Sequence, residues 1–230
     1  MWWVREFLNK NLAHRPKLFE FDNLNGMEFQ GLFVKNSPSF HIVPKDSQNM
    51  YFHDMEIFVD VMGQLELNLL FNKDMPKNVS TPIDLVYALQ ATIDKVNHGH
   101  LELPIFPLNT DGIDADGRNI TFRRVKITNF DDAIVAKPGN KGKRIPCTSD
   151  ILIEDCEVVF GVGMSIGSIA PSTKHACVSD WTVRNVSFKY PFKAIYIKTN
   201  PGEGTGEINN ILYENITIDT PIWWGIYIGP

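Results

Sequence analysis

The feature that most constrains the fold is a repeat of about 30 residues along the chain. Four segments align without gaps: RNITFRRVKITNFDDAIVAKP (118–138), SDILIEDCEVVFGVGMSIGSI (149–169), SDWTVRNVSFKYPFKAIYIKT (179–199) and NNILYENITIDTPIWWGIYIG (209–229). The second residues of these segments are 31, 30 and 30 positions apart: Asn119, Asp150, Asp180 and Asn210. LNGMEFQGLFVKNSPSFHIVP (24–44) looks like a fifth repeat, and QNMYFHDMEIFVDVM (48–62) like a partial sixth.

Apolar residues occupy the same columns in the four aligned repeats. The first pair of columns holds Ile120, Ile151, Trp181 and Ile211, then Phe122, Ile153, Val183 and Tyr213. The second pair holds Val125, Cys156, Val186 and Ile216, then Ile127, Val158, Phe188 and Ile218. The spacing within a pair is two, which indicates strands, and the spacing between pairs is three, which indicates a corner. No repeat can bury its apolar face alone, so the repeats must stack. We predict an all-β chain, a right-handed parallel β-helix forming one domain over 1–230.

One segment lacks the strand pattern. STPIDLVYALQATIDKVN (80–97) carries Val86, Leu89, Ile93 and Val96 at helical spacing, and Thr81 with Pro82 suits a helix start. We therefore predict an insertion over 66–103 that leaves the solenoid, forms a helix near 82–97 and returns.

Composition excludes several classes of partner. The chain has 43% hydrophobic and 21% charged residues with a net charge of -5, which is typical of a soluble globular protein and argues against nucleic acid. No apolar run is long enough to cross a membrane, so we expect no membrane partner. We also expect a monomer. The start, MWWVREFLNKNLAHRP, lacks the order of a signal peptide. We expect the β-helix to be incomplete at both ends, because a solenoid without capping units exposes its core.

Carboxylates converge at one corner of the predicted solenoid. Asp131 and Asp132 follow an outward strand in NFDDAIVAKP (129–138), and NTDGID (109–114) brings Asp111 and Asp114 to the same face from the preceding coil. Lys198 and Tyr196 lie on a strand edge two coils later: both belong to AIYIKT (194–199). Hydrolysis of a glycosidic bond needs one carboxylic acid and one carboxylate. Close carboxylates also raise one pKa, which suits the acid role.

Each feature taken alone has a structural explanation. An Asp-Asp pair at a corner is usually a solvated turn, although Asp111 and the neighbouring coil favour a site. Lys198 alone reads as a solvated strand lysine, and Lys137 in its column two coils earlier suits either a basic strip or surface charge. His98 and His100 have no partners at metal-ligand spacing, so we predict no metal site and no cofactor.

The motifs in combination carry a family resemblance. NTDGID, then NFDDAIVAKP, then GVGMSIGS (161–168), then AIYIKT resembles the motif series of the polygalacturonase family of glycoside hydrolases, over most of 24–230 outside the insertion. The resemblance implies an inverting hydrolase of pectin-type polysaccharides, secreted in most members. It implies that Asp131 is the general acid and that Asp111 with Asp132 activates the attacking water. It also implies that Lys198 binds a galacturonate carboxylate.

Two positions depart from the family pattern. The glycine-histidine-glycine motif reads Gly161-Val162-Gly163, and the arginine of the arginine-isoleucine-lysine motif is Tyr196. Tyrosine cannot reproduce the bidentate clamp of arginine on a carboxylate. The departures therefore leave a second hypothesis, a weakened or inactive β-helix that binds acidic glycans without cleaving them. A structural solenoid without ligand is a further alternative, and an eliminase on the same fold would need an arginine base that the columns do not show.

The repeat also predicts a disulfide. Cys147 and Cys177 each lie three residues before the second position of their repeats, so they occupy one column of neighbouring coils. Stacked coils are about 4.8 Å apart, within the Cα separations that disulfides accept. Cys156 lies in an apolar column and should remain a buried thiol.

Overall fold

The computed structural model describes residues 15–60, 81–84, 86–88, 109–170, 174–202 and 204–230. The strands in these ranges are β1 (Phe19–Asp22), β2 (Asn25–Gln30), β3 (Phe33–Lys35), β4 (Ile42–Lys45), β5 (Ser47–Phe58), β6 (Ile113–Ala115), β7 (Gly117–Asn129), β8 (Ile134–Ala136), β9 (Gly139–Asn140), β10 (Ser149–Phe160), β11 (Met164–Ile169), β12 (Ala176–Lys189), β13 (Lys193–Thr199), β14 (Gly206–Asp219) and β15 (Trp224–Gly229).

The strands form two sheets that run along the solenoid. One sheet has the order β1-β4-β6-β8-β11-β13-β15, and the other has the order β14-β12-β10-β7-β5-β2, with β3 and β9 attached to β5 and β12. Neighbouring strands on both paths are parallel, and each sheet takes one strand from each successive coil. The columns predicted from sequence are the pairing register: Ile120 pairs with Ile151, Ile151 with Trp181, and Trp181 with Ile211. The predicted right-handed parallel β-helix is confirmed.

The corners of each coil are made by residues in the left-handed backbone region. One corner column has positive φ at Asn49, Asn119, Asp150, Asp180 and Asn210. Asparagine and aspartate tolerate this conformation better than other residues with a Cβ, which explains why they recur at the corners. Their side chains also bond between coils, as where Asn119 Nδ2 donates to Asn49 Oδ1 at 2.6 Å.

The core is a stack of like side chains in successive coils. The rings of Phe29, Phe52 and Phe122 stack with centroids 4.8 and 5.0 Å apart, which is the spacing of the coils themselves. Trp181 is fully buried one coil beyond Ile151, and its Nε1 donates to the hydroxyl of Tyr213 at 3.1 Å. The repeating columns therefore build one continuous core, as stacking predicts.

The described part of the insertion is a helical turn. Residues 82–84 and 86–88 are helical, and Thr81 Oγ1 accepts from Asp84 N while Asp84 Oδ2 accepts from Thr81 N, a reciprocal N-terminal cap. Val86 and Ala88 pack with Phe130 and with Phe160, Phe192 and Ile222 in a small second core. The remainder of the predicted helix 82–97 and of the insertion 66–103, with His98 and His100, lies outside the described residues. Within the described ranges, no helix has the length and apolar character needed to span a bilayer.

The predicted disulfide is present. Cys147 and Cys177 are bonded, with Cα atoms 4.6 Å apart, and Cys156 is a buried free thiol whose pKa burial raises to about 12. The Cys147→Ser/Cys177→Ser variant should lose about 3 kcal/mol of unfolding free energy, because the bond closes a loop of 30 residues. Urea unfolding measures this loss. Reductant should lower the midpoint of the parent chain but not of the variant, and equal parent midpoints with and without reductant would contradict the prediction.

Candidate active site

Two loops that carry the predicted site residues are locked together by backbone and amide contacts. Asn129 Nδ2 donates to the carbonyl oxygens of Thr110, Asp131 and Asp132 at 3.0, 3.0 and 2.8 Å. Phe130 N donates to Thr110 Oγ1 at 3.2 Å. Thr110, next to Asp111, therefore accepts a backbone N–H group of the loop that carries Asp131 and Asp132. Since Asn129 is fully buried, these contacts fix the backbone of the Asp-Asp pair from below.

Glycines allow the coils to approach closely around this site. A Cβ on Gly112 would lie 2.3 Å from the carbonyl oxygen of Ala133, and a Cβ on Gly163 would lie 2.0 Å from that of Ala194. Gly163 also has a φ of 77°, which disfavours any side chain. The glycines of the two motifs therefore serve the close packing of successive coils, and they set the level of the carboxylates.

Three aspartates form the centre of the site. Each of Asp111, Asp131 and Asp132 offers a carboxylate oxygen within 4.8 Å of the others. The Asp131 carboxylate accepts the backbone N–H groups of Asn109 at 2.8 Å and of Asp132 at 2.9 Å. Asp132 Oδ1 accepts the hydroxyl of Ser165 at 2.6 Å. The Asp-Asp pair is thus more than a solvated turn, because the protein holds both side chains next to a third carboxylate.

Lys137 lies among these carboxylates, which the sequence did not distinguish from surface charge. Its Nζ is 3.2 Å from Asp114 Oδ2 and 3.9 Å from both Asp111 Oδ2 and Asp132 Oδ2. Asp114 pairs with Val135 in the register of β6 and β8, so strand alternation places Lys137 on the same outward face two residues later. The positive charge of Lys137 offsets part of the negative charge of these aspartates. Among the described residues the aspartate trio is the one acidic group spaced to hold a cation.

Burial and mutual repulsion keep protons on the cluster. Burial raises the pKa of Asp111 well above its ordinary value, and the charge of Asp131 raises it further. Burial raises the pKa of Asp132 to about 7, again with Asp131 adding to the effect, and burial also raises the pKa of Asp114 against the opposing charge of Lys137. Burial lowers the pKa of Lys137, but the surrounding aspartates outweigh it and leave that pKa raised. At mildly acidic pH Asp132 therefore keeps its proton, which it loses near pH 7.

A buried histidine supports Asp111 from the preceding coil. His41 is fully buried, its Nδ1 lies 2.9 Å from the carbonyl oxygen of Asp111, and its Nε2 accepts the backbone N–H of Ser37 at 3.3 Å. Burial lowers the pKa of His41, so the ring is neutral and Nδ1–H is the donor to Asp111. No sequence signal marked His41, because a single histidine in a strand pattern has no recognisable partner.

Comparison with known proteins assigns the family. The sequence profile described as "Glycosyl hydrolases family 28" matches residues 1–229. The chain belongs to this family. A polygalacturonase from Cryptomeria japonica is 28% identical over 217 residues, which cover 93% of this chain and 32% of that protein. An exopolygalacturonase from Arabidopsis thaliana is 33% identical over 120 residues, which cover 52% of this chain and 25% of that protein.

Solved structures share the fold. The endo-xylogalacturonan hydrolase of Aspergillus tubingensis superposes with a TM-score of 0.71 at 19% identity, covering 99% of this chain and 49% of that one. The polygalacturonase of Erwinia carotovora superposes with a TM-score of 0.66 at 19% identity, covering 100% of this chain and 49% of that one. The chain therefore spans about half the length of these structures and a third or less of the two curated relatives.

The departures from the family 28 motifs lie on the same face as the aspartates. Tyr196 pairs with Ser165, the residue whose hydroxyl donates to Asp132, so Tyr196 lies one coil beyond Ser165. Tyr196 is only 5% exposed. Val162 packs against the small second core. Lys198 pairs with Gly167 at the edge of β13, and in the described part of the chain it has no ion pair with a carboxylate. The structure thus brings the aspartates together with Lys137, and leaves Lys198 separate from them.

Proposed function

We propose that the chain hydrolyses glycosidic bonds in pectin-type polysaccharides, either polygalacturonate or a modified pectin, by an inverting general acid/base mechanism. The observation that carries the proposal is the trio of aspartate oxygens within 4.8 Å on the outward face of a family 28 β-helix. The raised pKa values belong to Asp111 and Asp132, the two proposed bases, so turnover should require a pH at which Asp132 is ionised, near or above 7.

The proposed roles follow the family resemblance. Asp131 donates its proton to the leaving oxygen as the bond from that oxygen to the anomeric carbon breaks. Asp132 and Asp111 accept a proton from water as the water oxygen bonds to the anomeric carbon. Ser165 holds Asp132 through its hydroxyl, and Lys198, which has no ion pair among the described residues, binds a carboxylate of the substrate.

The spacing of the carboxylates makes the product anomer a decisive measurement. Inverting enzymes usually separate their two carboxyls by about 6.5–9.5 Å, whereas retaining enzymes place them about 5–5.5 Å apart. The trio here lies within 4.8 Å, so the spacing rule alone does not favour inversion. NMR of the first product formed should show the inverted anomer. A retained anomer would replace the proposed water attack by a covalent intermediate on an aspartate.

Release of reducing ends tests the proposal itself. The chain is incubated with polygalacturonate, rhamnogalacturonan and xylogalacturonan, and an Asp111→Asn/Asp131→Asn variant is the matched control. We expect release from at least one of the three and none with the variant. If the chain releases nothing from any of them, the hydrolase proposal is overturned.

Binding without cleavage is the second candidate. The observation that favours it is Tyr196, a buried ring at the position where a guanidinium would clamp a carboxylate. This candidate predicts that calorimetry detects binding of oligogalacturonate to the parent chain while reducing ends stay constant. Turnover above the Asp111→Asn/Asp131→Asn control would exclude it.

The hydrogen bond from Ser165 to Asp132 gives a pH prediction. Ser165→Ala should raise the pKa of Asp132 further, because the hydroxyl stabilises the ionised form. Since the base must be ionised, the acidic limb of kcat should move to higher pH by about one unit, given about 1.4 kcal/mol for the lost bond. Rates from pH 4 to 10 measure the shift. A lower rate with an unchanged limb would show that Ser165 only packs.

The remaining expectations belong to the whole protein. We propose that it acts outside the cell, since pectin-type substrates lie there, and that it acts as a monomer without nucleic acid or membrane partners. Size-exclusion chromatography with light scattering checks the oligomeric state, and fractionation of the producing cells checks export.

A further inference from the structure

A lysine surrounded by aromatic rings lies near the aspartates. Lys193 Nζ is 3.8 Å from the ring centroid of Tyr196 and 4.4 Å from that of Tyr227. It is 5.2 Å from the nearer ring of Trp223 and 5.7 Å from that of Trp224. The attraction of an ammonium for ring faces holds the side chain in this position. Lys193 has no role in the proposed catalytic step.

The register of the solenoid places Lys193 above Asp132. Met164 pairs with Ile134 and with Ile195, which are offsets of 30 and 31 residues. At the preceding corner Val162 N donates to the carbonyl oxygen of Asp131 and Phe192 N donates to that of Gly161, so the segments 131–132, 161–162 and 192–193 lie at successive levels, and Lys193 itself pairs with Trp224. Coils are about 4.8 Å apart, so Lys193 lies two coils, or about 10 Å, from Asp132 along the solenoid axis. The ring cluster therefore extends the line of the catalytic carboxylates.

The positive charge of Lys193 has no carboxylate in ion-pair contact among the described residues. Burial lowers its pKa, and the charge of Lys198 lowers it further, while Asp132 and Asp131 act in the opposite direction. Lys198 is thus a second cation on this part of the face, five residues further along β13. A bound anion would offset the positive charge of Lys193.

The rings beside Lys193 offer apolar surface to solvent. Trp224 stacks between Trp223 and Tyr227, with centroids 4.1 and 4.7 Å apart. Trp223 and Trp224 belong to the last coil of this chain, where β15 begins, and are there 40% and 39% exposed. An exposed indole face complements the C–H face of a pyranose ring, and a cation beside it complements a carboxylate on that ring.

We propose that Lys193 with Tyr196, Trp223, Trp224 and Tyr227 forms a binding position for a uronate unit, where Lys193 Nζ takes the sugar carboxylate and the indoles take the apolar face of the sugar. The inference rests on the proposed function, because it adds a position to the same substrate path. It identifies the acidic sugar, rather than a neutral one, as the unit bound one or two coils beyond Asp132.

Binding to a chain that cannot turn over tests the assignment. In an Asp131→Asn background, calorimetry measures the Kd of a galacturonate oligomer and of the same oligomer with its carboxyls reduced to alcohols. Lys193→Met should weaken binding of the acidic oligomer about tenfold or more, since a charge-assisted hydrogen bond contributes about 1.5–3 kcal/mol. It should leave the reduced oligomer unchanged, and Trp223→Ala should weaken both.

Two further variants control for charge and for fold. Lys189→Met removes an exposed lysine that also lies over a ring, 5.2 Å from Tyr190, and should bind both oligomers like the background. Lys193→Arg keeps the charge and should keep most of the affinity. Unchanged affinity of Lys193→Met for the acidic oligomer, or equal losses in Lys193→Met and Lys193→Arg, overturns the uronate position and leaves the hydrolase proposal standing. A background chain that binds no acidic oligomer, with no release of reducing ends by the parent, overturns both.

Discussion

Asp131→Asn should lower kcat on the responsive pectin substrate by roughly 100- to 10,000-fold, because asparagine keeps the shape of the side chain but has no transferable proton. The Asp131 carboxylate accepts the N–H of Asn109 on Oδ2 and the N–H of Asp132 on Oδ1, and asparagine keeps an oxygen for one of the two, so circular dichroism and substrate binding of the variant check that the loop geometry persists. Initial rates of reducing-end release measure kcat. The matched control is Asp150→Asn, an exposed corner aspartate in the next coil, which should keep the parent rate.

The leaving group distinguishes an acid from a base. An aryl galacturonide has a leaving oxygen that needs little protonation, so Asp131→Asn should retain more of its rate on that substrate than on the polysaccharide. Asp132→Asn should lose activity on both, since water still needs a base. If Asp132→Asn instead recovers on the aryl substrate and Asp131→Asn does not, the two aspartates exchange roles.

The fold could be predicted from sequence because the same apolar pattern recurs in each coil of a solenoid. A column such as Ile120, Ile151, Trp181 and Ile211 has one register that buries all its members, and this register also set the pairing of Cys147 with Cys177. The insertion had no such repetition. Its boundaries stay a prediction, and only its first helical turn lies among the described residues.

The site was predictable for short side chains whose position the repeat determines, and less so for long side chains that can reach in several directions. Asp111, Asp131 and Asp132 could be brought together because they are short side chains on two adjacent coils whose register the repeat determines. Lys137 was recognised as sharing a column with Lys198, but alternation does not show how far a flexible side chain reaches toward a carboxylate. The surroundings of Lys193 were missed for the same reason.

The surroundings of Tyr196 were not predicted. The family resemblance marked Tyr196 as the loss of a bidentate clamp on a carboxylate, whereas the structure places Lys193 Nζ 3.8 Å from the centroid of that ring. The gapless repeat aligns Asp132 with Gly163 and Lys193, at offsets of 31 and 30, so the position of Lys193 two coils beyond Asp132 was available from the sequence.

The cluster of aspartates should also make the protein less stable at neutral pH than at acidic pH. The folded-state pKa of Asp132 is raised from 3.8 to about 7, so the folded chain holds this proton more tightly than the unfolded chain does. Its contribution to stability is therefore fully present below about pH 4 and is lost as pH rises through about 7. Burial also raises the pKa of Asp111 and Asp114, so the contributions of these two groups to stability likewise fall as the pH rises.

Asp132→Asn should remove this loss and stabilise the folded chain at pH 8 by up to about 4 kcal/mol, because one pKa unit corresponds to about 1.4 kcal/mol. At pH 4 the carboxyl of Asp132 is already protonated, so the variant and the parent should have similar unfolding free energies. Urea unfolding at pH 4, 6 and 8 measures the difference, with Asp150→Asn as the exposed control that should show none. A variant that is no more stable than the parent at pH 8 would mean that Lys137 already balances the cluster. The combination of a stability gain with lost turnover would identify Asp132 as a residue kept for chemistry rather than for folding.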